Sequence, residues 1–249
     1  MMRIVVIIPS RFGSSRFDGK PLAPICGKPM IQWVYQRASQ AACVESVHVA
    51  TDDQRIRDAV LAFGGNALMT SSTCRSGTDR VAEAAQRLGL AMTDVVINIQ
   101  GDQPLVDPHC FDAVVQPFYS DPTVKMSTLA FAIVEEREIS DPKDVKVTFD
   151  NKGDALYFSR ATIPHGRDRS TGFDVYKHLG VYAYTREFLE RFRSLPQGRL
   201  EEIEKLEQLR AMEHGHRIRV VVTPYDSPEV DLPVDIQRIE EKMQALGLG

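Results

Sequence analysis

The chain is poor in cysteine and tryptophan and has no excess of positive charge. Its 249 residues include one tryptophan and four cysteines. The cysteines form no C-x-x-C pair and have no histidine at ligand spacing, so neither a zinc site nor a disulfide framework is expected. Lysine and arginine number 30 against 34 acidic residues, and the resulting net charge of −4 argues against a nucleic-acid-binding protein.

Long apolar runs are absent as well. No run approaches the roughly 20 residues of a membrane-spanning helix. The first predicted strand begins within three residues of the first methionine, which leaves no room for a signal peptide. The composition, 43% hydrophobic and 26% charged, is that of an ordinary globular protein. We therefore expect a soluble, cytoplasmic protein with a single domain over residues 1–249 and no membrane partner.

The first half of the chain alternates between strand and helix patterns. The predicted strands span 3–8, 44–50, 67–69 and 94–99, and the predicted helices span 29–42, 55–63, 78–88 and 108–119. This alternation is typical of an α/β fold with a mainly parallel sheet, whose strand ends offer loops to a ligand.

The pattern changes after about residue 122. Strands without regular helices between them are predicted at 125–133, 145–150, 155–159 and 178–184. We interpret residues 125–185 as a β-rich excursion embedded in the α/β domain, in the form of an antiparallel extension of the sheet. Predicted helices at 186–193, 200–213 and 234–246 and a strand at 217–222 complete the chain.

The loop after the first strand carries three cations on a short glycine-containing segment. Arg11, Arg16 and Lys20 follow the apolar run that ends at Ile8, and Gly13 and Gly19 allow sharp turns and close approach to a ligand. Three cations on such a loop favour a polyanion such as a nucleoside triphosphate, and the alternative is an exposed basic loop. A P-loop kinase is excluded, because no Ser or Thr follows Lys20.

Two acidic residues are candidate ligands for a metal ion bound to a triphosphate. Asp102 follows a buried strand in Gln100-Gly101-Asp102, and Asp231 lies in a polar loop before the last helix. Mg²⁺ is normally held by one or two carboxylates together with phosphates and waters. The alternatives are that Asp102 caps a turn and that Asp231 serves as a turn or helix-start carboxylate.

Each of several other polar residues has both a functional and a structural interpretation. Thr78 is a plausible N-cap of a helix whose start would favour an anion. Arg160 suits either a substrate carboxylate or a salt bridge, and His178 either a ligand or a structural hydrogen bond. Glu207 and Gln208 lie in a leucine-spaced segment that predicts a packed amphipathic helix with a solvated charged face.

Ten segments in this order resemble one known family nearly end to end. They are IPSRFGSSRFDGKPL from Ile8, GKPMI from Gly27, ATDD from Ala50, SGTDRVAEA from Ser76, NIQGDQPL from Asn98, DPKDVKV from Asp141, YFSRATIP from Tyr157, KHLGVYAY from Lys177, LEQLR from Leu206 and EVD ending at Asp231. The first loop is shared by many nucleotidyltransferases, whereas YFSRATIP, KHLGVYAY and LEQLR are narrower signals. The chain resembles the 3-deoxy-manno-octulosonate (Kdo) cytidylyltransferases, the CMP-Kdo synthetases of lipopolysaccharide biosynthesis.

The resemblance implies a nucleotide-diphospho-sugar transferase-like (Rossmann-like) fold and a CTP-dependent reaction. The anomeric C2 hydroxyl of a 2-keto-3-deoxy sugar acid attacks the α-phosphorus of CTP, pyrophosphate leaves and the CMP-sugar forms. The family uses Mg²⁺ and is typically a homodimer, with the β-rich excursion supplying much of the interface.

The resemblance also implies roles for individual residues. Catalysis is expected from Lys20, Arg16 and Asp102. Nucleotide binding is expected from Pro9, Ser10, Arg11, Arg16, Lys20, Ser76, Arg80 and Asp102. The sugar acid is expected to contact Gln100, Arg160, His178, Tyr182, Glu207 and Gln208, and Mg²⁺ to bind Asp102 and Asp231.

The chain departs from the family pattern in two places. Residues 231–236 read DLPVDI where the family commonly has DTPEDL, which keeps Asp231 but removes a helix-capping hydroxyl. Residues 167–176 differ from the commonest form, so the 8-amino analogue of Kdo is an alternative acceptor. A second enzyme alternative is a CMP-sialate synthetase or a nucleotidyltransferase that uses another sugar, which would share the first loop but not carry KHLGVYAY and LEQLR. A third alternative is a non-catalytic nucleotide-binding protein, against which the intact Arg16, Lys20, Asp102 and Asp231 argue.

Overall fold

The computed structural model describes residues 2–13, 17–168 and 172–248, and all structural statements concern these residues. Arg16, which was predicted to bind the triphosphate, lies outside them. The strands are β1 (Ile4–Ser10), β2 (Pro24–Ile25), β3 (Lys28–Pro29), β4 (Ser46–Thr51), β5 (Asn66–Met69), β6 (Val95–Ile99), β7 (Met126–Ala132), β8 (Lys146–Phe149), β9 (Ala155–Ser159), β10 (Tyr176–Thr185) and β11 (Arg219–Val222).

Helices cover both faces of the resulting sheet. They are α1 (Met30–Ala38), α2 (Gln54–Ala62), α3 (Gly77–Arg87), α4 (Pro108–Ser120), α5 (Glu136–Ser140), α6 (Arg186–Ser194), α7 (Arg199–Glu204), α8 (Leu209–Glu213) and α9 (Asp235–Ala245), with a 3₁₀ helix at Lys20–Leu22. The short helix α5 lies within the excursion, where the sequence predicted no helix.

The main sheet has the strand order β11-β7-β10-β6-β1-β4-β5. β1 pairs in parallel with β4 and β6, and β4 with β5. β10 runs antiparallel to both β6 and β7, and β8 pairs antiparallel with β10 and β9. The predicted α/β fold with an antiparallel extension is confirmed, whereas the role of the excursion in dimer formation stays a prediction.

The sheet divides the hydrophobic core into two halves because alternate side chains of β1 point to opposite faces. Ile4, Val6 and Ile8 pack with residues of α1, α2 and α4. Val5 and Ile7 pack with residues of α3, α6 and α8. Every residue of β1 is buried, which is expected of a strand covered on both faces and places its carboxyl end at a rigid edge.

The predicted helix over 200–213 is wrong, because the chain breaks there into α7 and α8. Lys205 adopts a left-handed conformation with φ of 55°. Arg210 binds Glu201 through two hydrogen bonds of 2.5 and 2.8 Å, which fixes the two short helices against each other. Because the helix is broken, Glu207 and Gln208 lie in a turn and face a cavity rather than solvent.

Two further expectations can be checked here. All four cysteines carry free thiols, as predicted. Within the described part of the chain, no helix combines the length and the apolar character needed to cross a bilayer.

Candidate active site

Two adjoining cavities lie at the carboxyl edge of β1 and β6. The inner cavity has a volume of about 230 Å³, and the outer cavity about 860 Å³. Gly77 and Gln100 line both, so the two are neighbours. The inner cavity is lined by residues that include Pro9, Ser10, Arg11, Lys20, Arg80 and Asp102, all predicted to bind nucleotide.

The ends of β1 and β6 approach each other closely at the inner cavity. A Cβ on Gly101 would lie 2.9 Å from Ser10 Oγ, so a side chain at this position would clash. The Ser10 hydroxyl is buried and has no hydrogen-bond partner within the described part of the chain. A buried hydroxyl without a partner is costly unless a ligand or water satisfies it, so Ser10 is suited to contact a ligand in the cavity.

Lys20 joins the first loop to both acidic segments. Its Nζ donates to Asp102 Oδ2 at 2.5 Å and to the Val230 carbonyl at 3.0 Å. The Val230 amide in turn donates to the Asp102 carbonyl at 2.9 Å. These bonds bring the loop that holds Asp231 next to Asp102, although 129 residues separate the two in sequence. Asp102 Oδ1 is buried and has no hydrogen-bond partner in residues 2–13, 17–168 and 172–248.

The two other described cations of the inner cavity are fixed in different ways. Arg80 is fully buried, donates to Thr70 Oγ1 at 2.5 Å and lies 3.0 Å from Asp52. Arg11 is exposed and donates to the Cys74 carbonyl. Arg80 is thus a rigid part of the cavity wall, while Arg11 lies at its rim.

The start of α3 differs from the prediction. The N-cap is Ser76, whose hydroxyl accepts a hydrogen bond from the Asp79 amide, and not Thr78. Ser76 is absent from the described residues that line the inner cavity, whereas its neighbour Gly77 is among them. Thr78 instead donates its hydroxyl proton to Glu207 Oε2 at 2.5 Å. The helix start therefore contributes Gly77 and Thr78 to the cavities, and the predicted nucleotide contact of Ser76 stays a prediction.

Asp231 lines the outer cavity. Lys143 Nζ lies 3.7 Å from Asp231 Oδ2 and also 3.7 Å from Asp235 Oδ2. The Asp235 carboxylate accepts hydrogen bonds from the amides of Asp231 and Leu232, both at 2.9 Å. Asp235 thereby holds the loop in place of the helix-capping hydroxyl that this chain lacks.

Glu229 is a carboxylate that the sequence interpretation overlooked. It lines the outer cavity and accepts a hydrogen bond from Gln103 Nε2 at 3.0 Å. Burial, followed by the charge of Asp102, raises the pKa of Glu229 to about 7. Glu229 is the first residue of the EVD segment and precedes Asp231 by two residues, and this proximity was the signal in the sequence that could have placed it at the site.

All six residues predicted for the sugar acid line the outer cavity: Gln100, Arg160, His178, Tyr182, Glu207 and Gln208. Arg160 is held by the carbonyls of Glu204 and Pro142 at 2.8 and 2.9 Å, so it also joins α7 to the excursion. Gln208 is buried, and its Nε2 donates no hydrogen bond to any described residue. A buried donor of this kind is suited to a ligand hydroxyl or carboxylate.

His178 lines this cavity as a neutral side chain. Burial lowers its pKa to about 3. Its Nε2 lies 3.0 Å from Thr128 Oγ1, and the Thr128 hydroxyl donates its single proton to the Val181 carbonyl at 2.8 Å. His178 therefore donates through Nε2, which leaves Nδ1 as an acceptor for a hydroxyl group.

We expect His178 to remain uncharged between pH 5 and 9, with the proton on Nε2. Nitrogen-15 NMR should show a protonated Nε2 and an unprotonated Nδ1 over this whole range, and loss of the signal in His178→Gln would assign it. A midpoint near pH 6.5, the ordinary value for histidine, would contradict the assignment.

One wall of the outer cavity carries three carboxylates around a single buried lysine, and none of the three was predicted. Lys177 Nζ lies 3.1 Å from Glu138, 3.1 Å from Asp226 and 3.8 Å from Asp144. We call Glu138, Asp144, Lys177 and Asp226 the acidic wall. Burial raises the pKa of Asp144, and Lys177 offsets only part of this. Burial by itself would lower the pKa of Lys177. The carboxylates of Asp226 and Glu138 have the larger combined effect, so the pKa of Lys177 is raised.

Comparison with known proteins gives the class of protein to which this fold and this pair of cavities belong. The chain belongs to the cytidylyltransferase family, whose sequence profile matches residues 5–218.

Individual relatives narrow the comparison. The chain is 63% identical to a 3-deoxy-manno-octulosonate cytidylyltransferase from Desulfosudis oleivorans, covering 98% of this chain and 99% of the relative. It is 57% identical to an 8-amino-3,8-dideoxy-manno-octulosonate cytidylyltransferase from Shewanella piezotolerans, covering 97% and 99%. A solved structure of CMP:2-keto-3-deoxy-manno-octonic acid synthetase complexed with CTP superposes with a TM-score of 0.92 at 43% identity, covering 98% and 99%.

Proposed function

We propose that this protein transfers CMP from CTP to the anomeric hydroxyl of a 3-deoxy-octulosonate sugar acid and releases pyrophosphate. The observation that carries the proposal is the adjacency of the two cavities through Gln100 and Gly77. The inner cavity offers cations and a carboxylate to a triphosphate, and the outer cavity offers acceptors and donors to a polyhydroxylated acid. The high identity to relatives that carry out this reaction supports the same conclusion.

The reaction needs positioning and charge stabilisation rather than a protein nucleophile. The C2 hydroxyl oxygen forms a bond to the α-phosphorus, the bond from that phosphorus to the α,β-bridging oxygen breaks with its electron pair staying on the departing pyrophosphate, and the hydroxyl proton passes to water. In the proposal, Lys20 and Arg11 offset the charge on the triphosphate, while Ser10 donates to it. Gln100 lines both cavities and is placed to align the attacking oxygen with the phosphorus.

The residues present suit a bound Mg²⁺ ion. Asp102 Oδ1 is a buried oxygen that accepts no hydrogen bond from the described residues. The loop that holds Asp231 is hydrogen-bonded to the Asp102 backbone through the Val230 amide. Two carboxylates with phosphate oxygens and waters are a usual set of ligands for Mg²⁺. Asp102 and Asp231 would hold the ion, which when bound would neutralise phosphate charge. The predicted catalytic role of Arg16 remains part of the proposal.

Pyrophosphate release tests the proposed function directly. With CTP and Mg²⁺ present, we expect release in the presence of Kdo or its 8-amino analogue and none with sialic acid. Omission of CTP, or its replacement by ATP, serves as the control. Turnover with sialic acid alone would favour the related synthetase, and turnover with none of the sugars would favour a non-catalytic nucleotide-binding protein.

The remaining expectations belong to the same proposal. The product is an activated sugar, which a glycosyltransferase of lipopolysaccharide synthesis would consume in the cytoplasm. We also propose a homodimer formed through the excursion, where the β9 side chain of Leu156 is 60% exposed.

A further inference from the structure

The acidic wall carries more negative charge than its own lysine neutralises. Three carboxylates surround one ammonium group, which leaves about two negative charges on a wall of a cavity proposed to accept an anionic sugar. Such an excess would repel the substrate unless the part of the substrate that reaches the wall is cationic.

Neighbouring cations remove only part of this excess. Lys146 is buried, donates to the backbone carbonyls of Asp141 and Asp144, and offsets part of the Asp144 charge, but the carboxylate of Asp141 acts on Asp144 in the opposite sense. Arg137 pairs with Glu135, and Lys143 lies between Asp231 and Asp235. These cations are engaged with other groups.

The register of the sheet places the acidic wall away from the reacting centre. Val181 of β10 pairs with Ile99, the last residue of β6 before Gln100. Lys177 precedes Val181 by four residues and therefore lies about 13 Å along the strand, beyond the carboxyl edge of β6. A sugar acid whose anomeric carbon lies near Gln100 would direct its far end towards this wall.

A second observation indicates a ligand at the same place. Ser227 follows Asp226, lines the outer cavity and is 4% exposed, and its hydroxyl has no hydrogen-bond partner among the residues that the structure describes. A buried hydroxyl without a partner beside unneutralised carboxylates is suited to accept a hydrogen bond from a donor-rich group such as a primary ammonium.

We propose that Glu138, Asp144 and Asp226, with Ser227, select acceptor sugars that carry an ammonium group at the end remote from the anomeric carbon. This inference rests on the proposed function. It makes 8-amino-3,8-dideoxy-manno-octulosonate the preferred acceptor over the sugar with a hydroxyl at that carbon. An ammonium group would offset the charge of the wall and supply three donors, whereas a hydroxyl supplies one donor and no charge.

The test compares kcat/KM for the two sugars at saturating CTP and Mg²⁺. We expect the wild-type enzyme to prefer the amino sugar by at least about tenfold, since a hydrogen bond to a charged group is stronger than one between neutral groups. Asp226→Asn and Asp144→Asn should each lower the ratio of the two kcat/KM values about tenfold. N-acetylation of the amino sugar removes the charge from the substrate and should abolish its advantage.

Glu136→Gln is the matched control, because Glu136 is exposed on the same short helix as Glu138. This control should leave the ratio unchanged. A wild-type ratio near one, or a ratio that the wall variants do not change, would overturn the inference and leave the transferase function intact. Turnover of neither sugar would instead overturn the proposed function. Because Asp144 is the most distant of the three carboxylates from Lys177, Asp144→Asn keeps the test valid should Asp226→Asn fail to fold.

Discussion

Replacing Asp102 with asparagine is expected to lower kcat about a thousandfold, a loss typical of removing a group that stabilises charge in the transition state. The change keeps the size of the side chain but removes the charge that Lys20 binds at 2.5 Å. It also removes half of the proposed pair of carboxylates for Mg²⁺. Single-turnover kinetics with CTP and the preferred sugar, with Mg²⁺ titrated, measures both effects.

The matched control is Asp58→Asn, because Asp58 is an exposed carboxylate paired with an arginine on the surface of α2. It should retain the kcat of the wild type. The fold of Asp102→Asn is checked by circular dichroism and by its unfolding midpoint in urea. A folded Asp102→Asn enzyme with the kcat of the wild type would refute the assignment of Asp102 to the reaction centre.

The parts of the fold that depend on local signals were predictable from the sequence. The run that forms β1 is apolar on both faces. Asp107 is the N-cap of α4, because its carboxylate accepts a hydrogen bond from the His109 amide, as the sequence predicted. The antiparallel extension was also predictable, because strand patterns followed one another there without regular helices. These features need only neighbouring residues in sequence.

The break between α7 and α8 was not predictable from periodicity. Leucines at helical spacing across residues 200–213 are compatible with one continuous helix, and Lys205 carries no signal of a left-handed conformation. The break depends on tertiary contacts, above all the pair between Arg210 and Glu201. The same break turns Glu207 and Gln208 towards the outer cavity.

The residues of the candidate site also divide into those that were predictable from local sequence and those that depend on tertiary contacts. The cationic first loop and Gln100-Gly101-Asp102 follow strands directly, so the carboxyl ends of β1 and β6 were expected to bring them together. Glu229 and the acidic wall could not be found in this way. The wall combines residues of α5, the segment before β8, β10 and the loop after β11, and no local pattern indicates that these four segments meet.

The acidic wall also leads to the second large prediction, which concerns stability. Lys177→Met removes the only ammonium within 4 Å of Glu138 and Asp226 in the described residues, while keeping most of the apolar volume. Breaking a buried pair in this way leaves the partners uncompensated and typically costs about 3–5 kcal/mol. For a chain of this size, we expect the melting temperature to fall by roughly 10 °C.

The pH dependence separates this charge effect from a loss of packing. The raised pKa of Lys177 means that its contribution is complete at neutral pH and declines only as the pH rises above about 10.4, the ordinary value for lysine. In Lys177→Met, acidification protonates the carboxylates, so the difference from the wild type in free energy of unfolding should be smaller at pH 4.5 than at pH 7. Lys177→Arg, which keeps the charge, should recover much of the loss. A difference that does not change with pH would mean that Lys177 stabilises the wall by packing alone, and the excess of negative charge there would then no longer explain the need for a lysine.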